Sequence, residues 1–133
     1  MQLTSNAQHA RKLMIDGLRN AHGLEQQATV MLERNAERLE HYPQLKARVM
    51  QHLEETRQQQ AMVAHVLEEL GESPSTIKDT VMGLAEYVQM MVHSASSDEV
   101  LKNSYTGYAF EHFEIASYTA LIVIARAAGE PRV

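Results

Sequence analysis

Residues 107–128 read GYAFEHFEIASYTALIVIARAA, a stretch without proline. Taking positions three or four apart gives one helical face: Gly107, Glu111, Glu114, Tyr118, Leu121, Ala125 and Ala128. A face that packs inside a helical bundle is normally apolar along its whole length. Here two acids three residues apart lie on that face, so the stretch predicts a core-facing helix with a polar centre.

Composition places this helix in a small all-α protein. The chain has 133 residues, 44% of them hydrophobic and 22% charged, which predicts a single helical domain over residues 1–133. Three prolines and six glycines leave few turns for a β-rich fold. The net charge of −5 without a Lys/Arg cluster argues against nucleic-acid and membrane partners. The absence of cysteine removes thiolate ligands, and the absence of a signal peptide predicts a cytoplasmic protein.

Four long helices are predicted: about Asn6 to Leu39, Pro43 to Leu70, Pro74 to about Ser94, and a fourth opened by Ser96 and ending near Gly129. Pro43 interrupts the first helical pattern, and Gly71 is a favourable residue just after a helix. Ser96 and Glu99 have the spacing of a capping box. Because the connections are short, neighbouring helices should run antiparallel in a bundle.

Two further helices carry polar residues on otherwise apolar faces. On the first predicted helix this face consists of Met14, Leu18, Ala21, Glu25, Ala28 and Leu32. On the second predicted helix the face consists of Leu45, Val49, His52, Thr56, Gln59, Val63, Val66 and Leu70. Glu55 lies one turn from both His52 and Gln59. The third helix differs, because its face from Ile77 to Met91 is apolar throughout and Glu86 lies off it. Polar residues are therefore expected at mid-height on three helices.

Converging carboxylates indicate a bound cation. Burying an unpaired carboxylate costs several kcal/mol, and these faces contain no lysine or arginine. Oxygen and imidazole ligands suit iron, manganese or zinc, and facing helices with an i, i+3 pair can hold two metal ions. Tyr118 is placed to donate a hydrogen bond to a ligating carboxylate.

Each residue alone also has an ordinary structural explanation. Glu25 is compatible with a partly exposed helix position, and His52 with a hydrogen-bonded boundary histidine. Glu111 and Glu114 are compatible with a solvated face, and Tyr118 with simple packing. The coincidence of these residues at one level of the bundle is what favours metal.

Three segments resemble the YciE/YciF family of bacterial, stress-associated ferritin-like proteins. They are Glu111 to Tyr118 (EHFEIASY), His52 to Thr56 (HLEET) and Leu24 to Ala28 (LEQQA), with Gln26 replacing the usual lysine. The likeness covers nearly the whole chain and is closer to the YciE branch. It implies a ferritin-like antiparallel bundle, a homodimer and a rubrerythrin-like two-metal site.

The resemblance also implies the metal and its ligands. The metal is expected to be iron or manganese, with zinc as a further candidate. The likeliest ligands are Glu25, Glu55 and Glu114, Glu111 is a fourth candidate, and His52 and Gln59 are weaker ligands or partners of the ligands. Gln59 and Tyr118 are expected to hydrogen-bond those ligands.

Family members continue past the fourth helix into a fifth that brings further acids to the bundle. If 133 residues are the full length, the site is expected to be open, weak or vestigial, or to be completed by a dimer partner. If the chain is truncated, the rest of the protein is expected to complete the site.

Three functions follow as hypotheses. The first is a di-metal protein with an oxidase or peroxidase role in a stress response. The second is a non-catalytic helical protein that dimerises or docks a partner, with a vestigial or incomplete metal site. Iron storage in a hollow cage ranks last, because no acidic nucleation cluster stands out.

Overall fold

The computed structural model describes residues 5–74, 86 and 98–133, and within these ranges all regular structure is helical. Helix α1 comprises Ser5–Glu37, α2 comprises Pro43–Glu69 and α3 comprises Glu99–Ala127. The prediction of an all-α protein is therefore confirmed for this part of the chain.

The prediction of four long helices is wrong, because the described ranges contain three. The first, second and fourth predicted segments are found as α1, α2 and α3, with ends close to those predicted. The remaining segment, Pro74 to about Ser94 with its apolar face from Ile77 to Met91, lies outside the described residues except for Pro74 and Glu86. Glu86 is helical and exposed.

Gly71 ends α2 as predicted. Its φ of +76° lies in the left-handed region that favours glycine. The Gly71 N–H donates to the carbonyl oxygen of Glu68 at 3.0 Å, and the Glu72 N–H donates to that of Leu67 at 2.9 Å. These two bonds satisfy carbonyl groups of the last turn and direct the chain away from the helix axis.

Ion pairs from α1 show the relative direction of the helices. Arg19 in α1 pairs with Glu72, which follows α2, at 2.8 Å. Arg11 in α1 pairs with Glu130, which follows α3, at 3.2 Å. The first half of α1 thus lies beside the carboxyl ends of both other helices. Helix α1 therefore runs antiparallel to α2 and α3 and packs against both.

The start of α3 differs from the predicted capping box of Ser96 and Glu99. The N-cap is Asp98, whose carboxylate accepts a hydrogen bond from the Leu101 N–H at 2.8 Å. Glu99 instead contacts Arg38, just beyond α1, and Ser96 lies outside the described residues. Asp and Ser are similarly effective N-caps, so the helix begins at the residue whose carboxylate reaches a free N–H.

Two apolar clusters stabilise the described bundle. The larger joins all three helices and includes Met14, Leu67 and Leu121. The smaller joins Leu24 of α1 to Phe110 of α3. The described helices contain no stretch with the length and hydropathy of a membrane span. The middle of α1, between the clusters, positions the buried polar groups of the candidate site.

Candidate functional site

Glu25 is the most deeply buried carboxylate of the described chain, with 1% of the residue exposed. It lies in the middle of α1 and accepts a hydrogen bond from the Tyr118 hydroxyl of α3 at 2.6 Å. Burial raises the pKa of Glu25, and the Tyr118 hydrogen bond partly opposes this rise. Burial and the neighbouring carboxylate raise the pKa of Tyr118, so its hydroxyl stays protonated and donates. The Tyr118 hydroxyl thus fixes the orientation of the Glu25 carboxylate.

Glu114 is the second buried carboxylate, with 8% of the residue exposed. Its Oε1 atom is buried and has no hydrogen-bond partner among the described residues. Burial is the largest cause of a raised pKa for Glu114, and the negative charges of Glu25 and Glu111 add to it. Together they raise the pKa of Glu114 to about 8. At neutral pH this carboxyl group is therefore mostly protonated. A buried acid without a hydrogen-bond partner for one of its oxygens is a candidate for binding a cation.

His52 and Glu111 join α2 to α3 at the edge of this pair. The His52 Nε2 atom contacts the Glu111 Oε1 atom, and His52 Nδ1 faces Glu55 Oε2 at 3.4 Å. The Glu111 side chain is half-exposed, whereas that of His52 is mostly buried. The charge of Glu111 acts on both Glu25 and Glu114. The structure thus brings His52 and Glu111 near the buried acids but leaves them at the solvent boundary.

Glu55 forms an ion pair with an arginine side chain. Its carboxylate lies 3.4 Å from Arg48 and accepts a hydrogen bond from Gln51 at 3.1 Å. Partial burial would raise the pKa of Glu55, but the charge of Arg48 and bonds from His52 and Arg48 lower it overall. Gln59, predicted as a partner of the ligands, is exposed. These two residues therefore differ from Glu25 and Glu114, whose carboxylates pair with no lysine or arginine of the described chain.

His22 is a buried polar residue that sequence reasoning missed. It is 8% exposed, and its Nδ1 atom has no hydrogen-bond partner among the residues described. Burial lowers the pKa of His22, which favours the neutral imidazole that metal ions bind. The available signal was its spacing: His22 precedes Glu25 by three positions, as His52 precedes Glu55.

The fit to a metal ion is partial. The unpartnered Glu114 oxygen and His22 nitrogen, together with the Glu25 carboxylate, are donors of the kind that iron and manganese accept. However, over residues 5–74, 86 and 98–133 no three acidic or histidine side chains form a ready group for an ion. The donor chemistry fits, whereas a complete ligand set would require side chains to move.

A cavity of about 330 Å³ adjoins this region between α2 and α3, with α1 as its floor. Its walls include Met31, Val49 and Phe110, and His52 and Glu111 also line it. A ligand of small-molecule size fits such a volume. The His52–Glu111 contact therefore forms part of the wall of this cavity.

Comparisons with known proteins agree with the described fold. A crystal structure of a protein from Xanthomonas campestris pv. campestris has 43% identity, with 93% of this chain and 75% of that chain covered and a TM-score of 0.75. YcfI from Rhodopseudomonas palustris has 28% identity, with 97% of this chain and 83% of that chain covered and a TM-score of 0.75. The domain of unknown function DUF892 matches residues 9–133. The chain therefore belongs to the DUF892 family.

Proposed function

We propose that the protein binds divalent transition metal, iron or manganese, between its helices, and that it belongs to the YciE/YciF group of stress-associated proteins. The observation that carries the proposal is the buried pair of Glu25 and Glu114, which no lysine or arginine of the described chain neutralises. A cation would remove the cost of ionising both acids in the interior. The resemblance of the segments around Glu25, His52 and Glu114 to that group points to the same site.

In this proposal Glu25, Glu111, Glu114 and His52 hold the metal. Tyr118 fixes the orientation of the Glu25 carboxylate through its 2.6 Å hydrogen bond. Glu114 must lose its proton before its oxygens can bind, so metal uptake is coupled to proton release. A bound iron or manganese ion would supply redox chemistry towards dioxygen or peroxide. A two-ion site would need further ligands, and Glu55 could contribute only by leaving Arg48.

Metal binding is tested by calorimetric titration with Mn²⁺ and by thermal unfolding with and without chelator. At a free metal concentration of about 100 times Kd, the folded state should gain about 2.7 kcal/mol, or roughly 10 °C in Tm for a chain of this size. Glu25→Gln should lose most of that shift, whereas Glu54→Gln, at an exposed position of α2, should keep it. An unchanged Tm for the wild type with Mn²⁺, Fe²⁺ and Zn²⁺ would contradict the proposal.

The second candidate is a non-catalytic helical protein whose buried carboxyls remain neutral. The observation that favours it is the lack of a preassembled three-ligand group among the described residues, together with a Glu114 pKa of about 8. Under this alternative, metal and chelator leave Tm unchanged and Glu25→Gln is neutral or stabilising. The same titration and unfolding experiments therefore separate the two functions.

A further inference from the structure

A second cavity lies between the last turns of α1 and the first turns of α3. Its volume is about 410 Å³, and its described lining comes from these two segments, whereas the cavity that His52 lines also borders α2. Three cations line it: Arg34 in α1, Arg38 just beyond α1, and Lys102 in α3. We call it the cationic cavity. The proposed metal ligands are not among its described lining residues, so the metal proposal leaves this cavity unexplained.

The fold brings the three cations to one place. Arg34 and Arg38 are four residues apart at the end of α1. Lys102 lies in the first turn of α3, and the contact of Arg38 with Glu99 shows that this turn is beside the end of α1. Like charges this close repel one another. An anion between them would replace that repulsion with attraction.

The lining does not neutralise these cations. Glu99 is the single acid among the described lining residues, and its carboxylate contacts Arg38. Arg34 and Lys102 form no ion pair with any residue of the described ranges. Two positive charges therefore remain unpaired at the cavity, and a third is shared with one acid.

Other acids do not remove this surplus. Glu33 pairs with Arg57 of α2 at 2.8 Å, and Glu37, four residues further along α1, lies on the same side of that helix. Residues 75–85 and 87–97 contain one acid, Asp79, and one cation, Lys78, so they could neutralise one of the two unpaired charges at most. A local positive surplus in a chain with a net charge of −5 points to an anionic ligand.

The uncharged lining residues indicate the kind of anion. The amides of Gln27, Asn35 and Asn103 offer hydrogen-bond donors and acceptors, and Val30 and Met31 form an apolar wall. A phosphate monoester carries a charge of about −1.5 to −2 at pH 7 and three acceptor oxygens, so it matches the two unpaired cations. A carboxylate carries a single charge and would leave part of the surplus. The volume of the cavity also accommodates a small organic group beside the phosphate.

We propose that the cationic cavity binds a small phosphate monoester, with the phosphate held by Arg34, Arg38 and Lys102 and the organic group against the apolar wall. Arginine suits phosphate because its planar guanidinium donates two parallel hydrogen bonds, and lysine adds a point charge. Arg38 can serve both Glu99 and the phosphate, since a guanidinium has five N–H donors. This site goes beyond the proposed metal function, because binding there requires no metal ion.

Calorimetric titration with phenyl phosphate tests the site on the full chain, after metal has been removed with chelator and the chelator dialysed away. We expect a Kd of about 0.1–1 mM. Phenyl sulfate has a similar shape but a single charge and should bind roughly tenfold more weakly. Inorganic phosphate should also bind roughly tenfold more weakly, because it leaves the apolar wall in contact with water. Equal affinity for inorganic phosphate would overturn the assignment to an ester, and no binding of phenyl phosphate at about 10 mM would overturn the site itself.

Substitutions of single cations test where the ligand binds. Lys102→Gln and Arg34→Gln should each weaken phenyl phosphate binding about tenfold. Lys46→Gln is the matched control, because Lys46 is also partly exposed and its loss changes the net charge equally, but it lies on α2 and is not among the described lining residues. Its affinity should stay within about twofold of the wild type. Equal losses in Lys46→Gln and Lys102→Gln would indicate general attraction to charge and would contradict the proposal. Circular dichroism of each variant establishes that the helices are retained.

Discussion

Replacing Glu114 by glutamine should remove much of the pH dependence of stability of the metal-free protein. The folded-state pKa of Glu114 is about 8, compared with an ordinary value of 4.5. Between these two values the folded chain holds a proton that the unfolded chain has released. Stability must therefore fall as pH rises through this window, because the unfolded state binds fewer protons. Glutamine has the same shape and stays neutral, so the variant should not show this loss.

The size of the effect follows from the two pKa values. Each pH unit between 4.5 and about 8 corresponds to about 1.4 kcal/mol, so ionised Glu114 costs the folded state at most about 5 kcal/mol above pH 8. Relaxation of the surrounding side chains reduces that cost. We expect Glu114→Gln to match the wild type within about 1 kcal/mol at pH 5 and to exceed it by about 2–4 kcal/mol at pH 9.

Urea unfolding in the presence of chelator measures this difference directly. Wild type, Glu114→Gln and the exposed control Glu54→Gln are compared at pH 5, 7 and 9, and the difference between each variant and wild type isolates one residue. Glu54→Gln should show a nearly constant difference at all three pH values. If Glu114→Gln were less stable than the wild type at pH 9, or if its difference did not grow with pH, the argument that Glu114 is buried and neutral would be wrong.

Three other predictions use the same structure. Metal affinity should rise up to about tenfold from pH 6 to pH 7 and level off above pH 8, with release of about one proton per ion from Glu114, as calorimetry in two buffers would show. Tyr118→Phe removes the hydrogen bond to the most buried acid and should cost about 1–3 kcal/mol in urea unfolding, whereas exposed Tyr105→Phe should cost little. Gly71→Ala forces an L-residue to φ +76° and should destabilise by about 1 kcal/mol, whereas Gly107→Ala, in open space within α3, should stabilise by about 0.5–1 kcal/mol in the same assay.

Much of the described fold could be predicted because local signals act along a single helix. Pro43 begins α2 and Gly71 ends it, and both effects depend only on backbone conformation. The burial of Glu25 and Glu114 follows from helical periodicity, since each lies on a face that is otherwise apolar. The Tyr118 hydrogen bond required only that α1 and α3 face each other.

Other features depend on how far long side chains reach, which periodicity does not report. Arg48 is seven residues before Glu55 and lies outside the predicted apolar face, yet its guanidinium extends along α2 to that carboxylate. His22 is buried although it lies off the face that contains Glu25, because α1 is enclosed from Ala21 to Glu25. Sequence periodicity assigns each residue to one side of a helix. It cannot show where a helix is surrounded or which flexible cation pairs with an acid.

Anomalous X-ray scattering from a crystal soaked with Mn²⁺ or Fe²⁺ tests the central claim most directly, because it reports the element and its position together. We expect a peak at bonding distance from the carboxylates of Glu25 and Glu114, with Tyr118 still bonded to Glu25. Crystals of Glu25→Gln should lack that peak. A well-occupied peak elsewhere, or none in crystals soaked at millimolar metal above pH 8, would contradict a metal centre between these helices.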